Sequence, residues 1–155
     1  MDSLLAVDLG LKTGLALYGR DGRLGWYRSK NYGTTARLKR DVHNMLGSIP
    51  SLRHIVVEGD RGLAAIWEHE AVRHNILTRQ IHAEQWRQKL LYASEQKSGS
   101  KAKLNAEYFA RRIIKWSCMA GPTSLRHDAA EAIMIGLWAV LELGWLSAVP
   151  DELRR

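Results

Sequence analysis

The sequence predicts a single α/β domain over residues 1–155, a mixed sheet flanked by helices. Three observations lead there. The opening holds three short apolar runs in close succession, joined by turn signals. A segment of helical periodicity then separates them from a fourth apolar run, Arg53–Glu58, as in a crossover between parallel strands. The chain closes on a long apolar stretch, too long for a strand, beginning near Arg126.

Leu4–Asp8, Gly14–Tyr18 and Leu24–Arg28 read as the first strands. Gly10 and Gly14 punctuate the first connection, and Asp21-Gly22 is a two-residue hairpin signal for the second, so this part is an antiparallel meander. Thr34 or Thr35 caps a helix running to about Leu46, with Leu38, Val42 and Met45 inward and Arg37, Lys39 and Arg40 outward. Gly47 and Pro50 end it. Arg53–Glu58 follows, parallel to the first strand. Gly59 breaks it, and a helix carrying Leu63, Ile66, Trp67 and Val72 comes next. Arg79–Ala83 reads as a short strand and Glu84–Leu91 as a short helix with Trp86. The polar, basic stretch Ser94–Lys103 is expected to be a flexible loop. Leu104–Trp116 is an amphipathic helix with Leu104, Tyr108, Ile113 and Ile114 partly inward. Gly121-Pro122 makes a turn, and Ser124 is the expected N-cap of a last helix running to about Trp145. There is no internal repeat and no domain linker.

The net charge of +7 and pI of about 9.8 favour a polyanionic partner, nucleic acid first among them. The one cysteine, Cys118, excludes an internal disulfide and a Cys-rich zinc site and fits a reducing, cytoplasmic setting. The N-terminus lacks a signal-peptide pattern. Ala132–Val149 is interrupted by Glu142 and follows directly on Asp128 and Glu131, which reads as a buried helix rather than a membrane span.

Four acids stand out by position. Asp8 and Glu58 each end an apolar strand, where a carboxylate is costly to desolvate without a cation. If the two strands are parallel neighbours, both side chains leave the same sheet edge. Asp128 and Glu131 are three apart at the start of the last helix and share a face. Four carboxylates with no thiolate form a hard oxygen site suited to Mg²⁺ or Mn²⁺. Crowded carboxylates also repel one another, so cations are needed to hold the charge. Two ions about 4 Å apart can activate water and stabilise the leaving oxygen of a phosphodiester. Taken singly, each acid has a plainer reading: a strand-end or turn acid for Asp8 and Glu58, a first-turn acid favourable to the helix dipole for Asp128, a solvated side chain for Glu131.

The run Ala6-Val-Asp-Leu-Gly-Leu-Lys-Thr-Gly-Leu-Ala16 resembles the first motif of RuvC-type Holliday junction resolvases, within the ribonuclease H-like superfamily. Val56-Val-Glu58 resembles their fourth-strand acid, and His127-Asp-Ala-Ala-Glu-Ala132 their terminal helix motif. The resemblance covers nearly the whole chain and is closer to the phage and organelle branches. It implies a five-stranded mixed sheet, three antiparallel strands then parallel ones, a homodimer, and symmetric paired nicks in a four-way DNA junction. It also implies Asp8, Glu58, Asp128 and Glu131 as metal ligands. Glu131 departs from the family, which usually has Asp there, and 59–119 matches only loosely.

In these resolvases a lysine from the region between the second and third motifs approaches the scissile phosphate; by position that is Lys97 or Lys101, with a solvated loop as the plainer reading. Lys103 adds to the same basic stretch. Arg61, Arg73, Arg79 and Arg87 are candidates for a track that positions DNA through its phosphates, or are ordinary surface arginines. His127 either donates to the scissile phosphate or assists a metal, or it makes a structural hydrogen bond at the helix start. Asp60 is either an outer acid or, preferably, the partner of Arg61. Trp138 and Trp145 fit core or dimer interface. Trp67, with His69 nearby, fits a wedge in an opened junction or, more readily, a dimer interface.

The function expected is a metal-dependent, structure-selective endodeoxyribonuclease of recombination or repair, working in the cytoplasm at the nucleoid or in a host cytoplasm if phage-encoded. The alternatives are a ribonuclease H-like enzyme acting on RNA or RNA–DNA hybrid, resembling the RuvC-like ribosomal RNA processing factors, and a non-catalytic junction binder on a decayed nuclease fold. An actin-like kinase would need two lobes and more chain.

Overall fold

The computed structural model describes residues 1–154. Its strands are β1 (Ser3–Asp8), β2 (Lys12–Gly19), β3 (Leu24–Asn31), β4 (Leu52–Glu58) and β5 (Leu77–Ile81). Its helices are α1 (Thr35–Ser48), α2 (Arg61–Arg73), α3 (Ala83–Leu90), α4 (Gly99–Trp116) and α5 (His127–Glu142). Short 3₁₀ turns cover Ala93–Gln96 and Asp151–Leu153.

The strands form one five-stranded sheet in the order β3-β2-β1-β4-β5. β1 pairs antiparallel with β2, and β2 with β3; β4 lies parallel to β1, and β5 parallel to β4. The expected mixed sheet is thus observed.

Alternation along the strands divides the core between the two sheet faces. On β1, Leu5 and Val7 join Ile55 and Val57 of β4 beneath α1 and α2. Leu4 and Ala6 join Val56 and Ile81 beneath α3, α4 and α5. Asp8 is in phase with Leu4 and Ala6, and Glu58 with Val56. Both acids therefore leave the sheet on the α5 side, and the register places them side by side as an aligned pair.

Two glycines set how closely α5 lies on the sheet. A Cβ on Gly14, the residue paired with Asp8 on β2, would fall 1.9 Å from the Asp128 carbonyl oxygen. A Cβ on Gly136 would fall 2.1 Å from Cε1 of Tyr18. With both bare, Tyr18 lies fully buried under the helix and its hydroxyl donates to the Ile133 carbonyl at 2.6 Å.

Several expectations are corrected. Ser94–Lys103 is not a loop: it holds a 3₁₀ turn and the first turn of α4, capped by Ser98, whose Oγ accepts from the Lys101 N–H at 3.1 Å. Starting α4 earlier changes which residues count, and Ala102, Ala106, Phe109 and Ala110 face inward with Ile113 and Ile114, while Leu104 and Tyr108 are half exposed. On α2, Ala71 takes the inward position and Val72 is 76% exposed. α5 begins at His127 with Arg126 at its N-cap, not Ser124, and ends at Glu142. No described helix is long and apolar enough to cross a membrane.

Candidate metal centre

Asp8, Glu58 and Glu131 converge where β1 and β4 end and α5 begins, each offering a carboxylate oxygen within 4.8 Å of the others. Asp8 is brought by strand phase, Glu58 by the parallel register, and Glu131 by the second turn of α5 held down over Gly14. Glu131 is buried, and Asp8 and Glu58 are partly so.

Packing acids this way has an electrostatic cost. Burial first, then the charges of Glu131, Glu58 and Asp128, push the Asp8 carboxyl up to about 8, with Arg87 opposing. Glu58 is also raised, by burial and by Glu131, against the lowering effect of Arg87, the Trp86 indole and His82. The only donors on this group are oxygens, and its excess negative charge is only partly met by neighbouring cations. This set fits a hard divalent ion such as Mg²⁺ or Mn²⁺.

Asp128 does not join the three. Its Oδ1 accepts from Ser29 Oγ on β3 at 2.7 Å and from the Ala129 N–H at 2.8 Å, which holds it to the β3 side of α5. It acts on Asp8 only through its charge. A spacing of three brings two side chains to one side of a helix, but the directions they take differ by tens of degrees.

Two side chains hold Glu131. His127 Nε2 lies 3.0 Å from its Oε1, and Arg87 Nη2 donates to the same oxygen at 3.3 Å. Arg87 is therefore inside the acidic cluster rather than on an outer track, its guanidinium 5.2 Å from the buried Trp86 ring. This was the role that sequence reasoning missed. Its one signal is an arginine directly after a buried tryptophan in the helix leading from β5.

The remaining candidates scatter. Arg61 opens α2 three residues after Glu58 and donates to Gln80 Oε1 at 3.0 Å, while Gln80 donates to the Gly59 carbonyl. Asp60 neither pairs with Arg61 nor reaches the acids; it caps α2, accepting from the Leu63 N–H at 2.9 Å. Arg73 closes α2, about 18 Å of helix from Arg61 and toward the opposite sheet edge. Arg79 lies 4.9 Å from the ring of Trp138, itself a core residue. The four arginines do not form one track. Lys97, Lys101 and Lys103 are exposed around the start of α4. Trp67 is fully buried between the sheet and its own helices, so it is neither a wedge nor an interface residue. Trp145 stands edge-on to His54 with ring centres 5.8 Å apart.

The sheet order, the helices on both faces and the acids at the end of its central pair of strands define the ribonuclease H-like architecture. Among solved structures, T. thermophilus RuvC in complex with a Holliday junction substrate shares this fold, with a TM-score of 0.67 and 16% sequence identity over 93% of this chain and 97% of that one. No protein-family model matches the sequence, and no curated protein matches it either.

Proposed function

We propose that this chain is a metal-dependent endonuclease that resolves four-way DNA junctions by paired symmetric nicks as a homodimer. The observation that carries this reading is the convergence of Asp8, Glu58 and Glu131 on a RuvC-like fold. The neighbour's own substrate, a Holliday junction, supports the choice of branched DNA, as does the charge of +7.

Asp8, Glu58 and Glu131 would hold the divalent ions, two per site, with Asp128 reaching them only after leaving Ser29. Bound Mg²⁺ or Mn²⁺ supplies charge neutralisation at the phosphate and an activated water. The chain's own residues do the rest. Arg87 and His127 fix the Glu131 carboxylate, and Arg87 neutralises part of the acidic cluster. His127, 42% exposed, is the side chain placed to face an incoming phosphate. Arg61 stands at the rim beside Glu58, and Lys97, Lys101 and Lys103 extend a basic surface for the DNA backbone. An enzyme of this kind would work at the nucleoid, or in a host cytoplasm if phage-encoded.

The test is cleavage of a synthetic four-way DNA junction beside matched linear duplex and RNA–DNA hybrid, with Mg²⁺, Mn²⁺ or EDTA. The expected result is paired symmetric nicks in the junction alone, lost with EDTA. Cutting of hybrid or RNA instead would move the substrate to the ribonuclease branch. Tight junction binding without cutting under either metal would overturn the catalytic reading.

A further inference from the structure

A second cluster of ligating side chains lies on the other face of the sheet, where α1 and α2 pack together. His43 comes from α1, Glu70 from α2, and His74 is the C-cap residue of α2. Their ligand atoms all lie within 4.8 Å of one another. His43 Nδ1 is 2.6 Å and His74 Nε2 3.2 Å from the same Glu70 oxygen. Glu70 is only 8% exposed, an unusual position for a carboxylate without a strong partner. The i,i+4 spacing of Glu70 and His74 puts them on one side of α2, and His74 reaches across to lie 3.7 Å from where a Gly47 Cβ would stand on α1.

We propose that His43, Glu70 and His74 form a second divalent-cation site, which takes a nitrogen-seeking transition metal of the Zn²⁺ or Co²⁺ type and clamps α1 to α2. Two imidazoles and one carboxylate are a common three-residue ligand set for such ions, leaving one position for water. Mg²⁺ disfavours nitrogen ligands, so this site and the oxygen site of Asp8 discriminate between metals. Ligands on one tetrahedral ion stand about 3.4 Å apart, given metal–ligand bonds of about 2.1 Å. The Glu70–His74 spacing already matches. The Glu70–His43 spacing, 2.6 Å, is that of a hydrogen bond, and His43, 61% exposed, is free to swing outward by the difference. This inference is independent of the nuclease reading.

The experiment is a Co²⁺ titration of the tag-free protein, followed by visible absorption. One equivalent is expected to give the intense bands of four-coordinate cobalt, displaced by Zn²⁺ and not by millimolar Mg²⁺. His43→Gln and His74→Gln should each weaken binding at least about tenfold, while Asp8→Asn leaves the bands unchanged. Zn²⁺ should raise the Tm of the wild type and not that of His43→Gln, whose exposed position makes it a safe substitution for folding. No intense bands in the wild type, bands that survive both histidine substitutions, or bands lost in Asp8→Asn would each overturn the proposal.

Discussion

With its pKa near 8 in the metal-free protein, Asp8 still holds its proton in most molecules at neutral pH, whereas the unfolded chain has lost it above about pH 4. The folded state thus binds more protons across that window, and stability falls as pH rises from about 4 to 8. Asp8→Asn removes the conflict. The metal-free variant is expected to be more stable than wild type at pH 7, by on the order of 2–3 kcal/mol once water at the partly exposed carboxylate is allowed for. Thermal unfolding in EDTA checks this, and an unchanged or lower Tm would refute it. The same variant should lose metal-dependent cutting by about 10²–10³-fold or more while still binding a junction, read by gel shift beside cleavage. Because a metal must displace the Asp8 proton, Mn²⁺ affinity should rise with pH between about 6 and 8, measurable by titration calorimetry. At this scale the sequence was legible in part. Asp8 and Glu58 could be read because a strand end leaves a side chain only two faces to choose from. Asp128 could not, since its direction is decided by Ser29, 99 residues away. Trp67 was misread because the width of the buried stripe on α2 depends on what packs over it.

The position of α5 decides whether the acids meet at all, and two contacts set it. Gly14→Ala would drive a methyl group into the Asp128 carbonyl, and backbone, unlike a side chain, cannot swing away. The expected outcome is a stability loss of about 1–3 kcal/mol with Glu131 displaced, so that activity falls further than stability accounts for. Comparing cleavage well below the Tm with denaturant midpoints separates the two effects. Tyr18→Phe removes the buried hydrogen bond to the Ile133 carbonyl, which keeps its partner within α5, for an expected loss of about 0.5–1.5 kcal/mol by the same measurement. The elements themselves were largely legible, their contacts less so. Strand phase and the Asp21-Gly22 turn announced the meander. The first turn of α4 was hidden because Ser98, Gly99 and Ser100 are loop formers that here serve as a cap and its flank. The glycines gave no warning that they are gaps kept open for a helix.

For the whole molecule, a charge of +7 predicts that junction binding is dominated by phosphate contacts. Affinity should fall steeply and linearly on a log–log plot against salt, and each of Lys97→Ala, Lys101→Ala and Lys103→Ala should reduce the slope by about one if it touches a phosphate. An unchanged slope would place that lysine off the DNA. Composition and element order were enough to foresee the sheet and its basic character. The division of labour between its two faces, oxygen ligands under α5 and imidazoles between α1 and α2, depends on helix packing that no single segment encodes.

The span between Asp8 and Glu131 has a consequence in time. The oxygen site draws its ligands from the first strand and the last long helix, so a polypeptide still being made has no complete site. Strands and α1 can dock as they emerge. On the proposed function, cutting requires that α5 has closed over Gly14. A polypeptide lacking α5, or one whose α5 has frayed, would then hold no complete oxygen site. If the chain is the nuclease proposed above, assembly order works as a safety catch, released only when α5 docks.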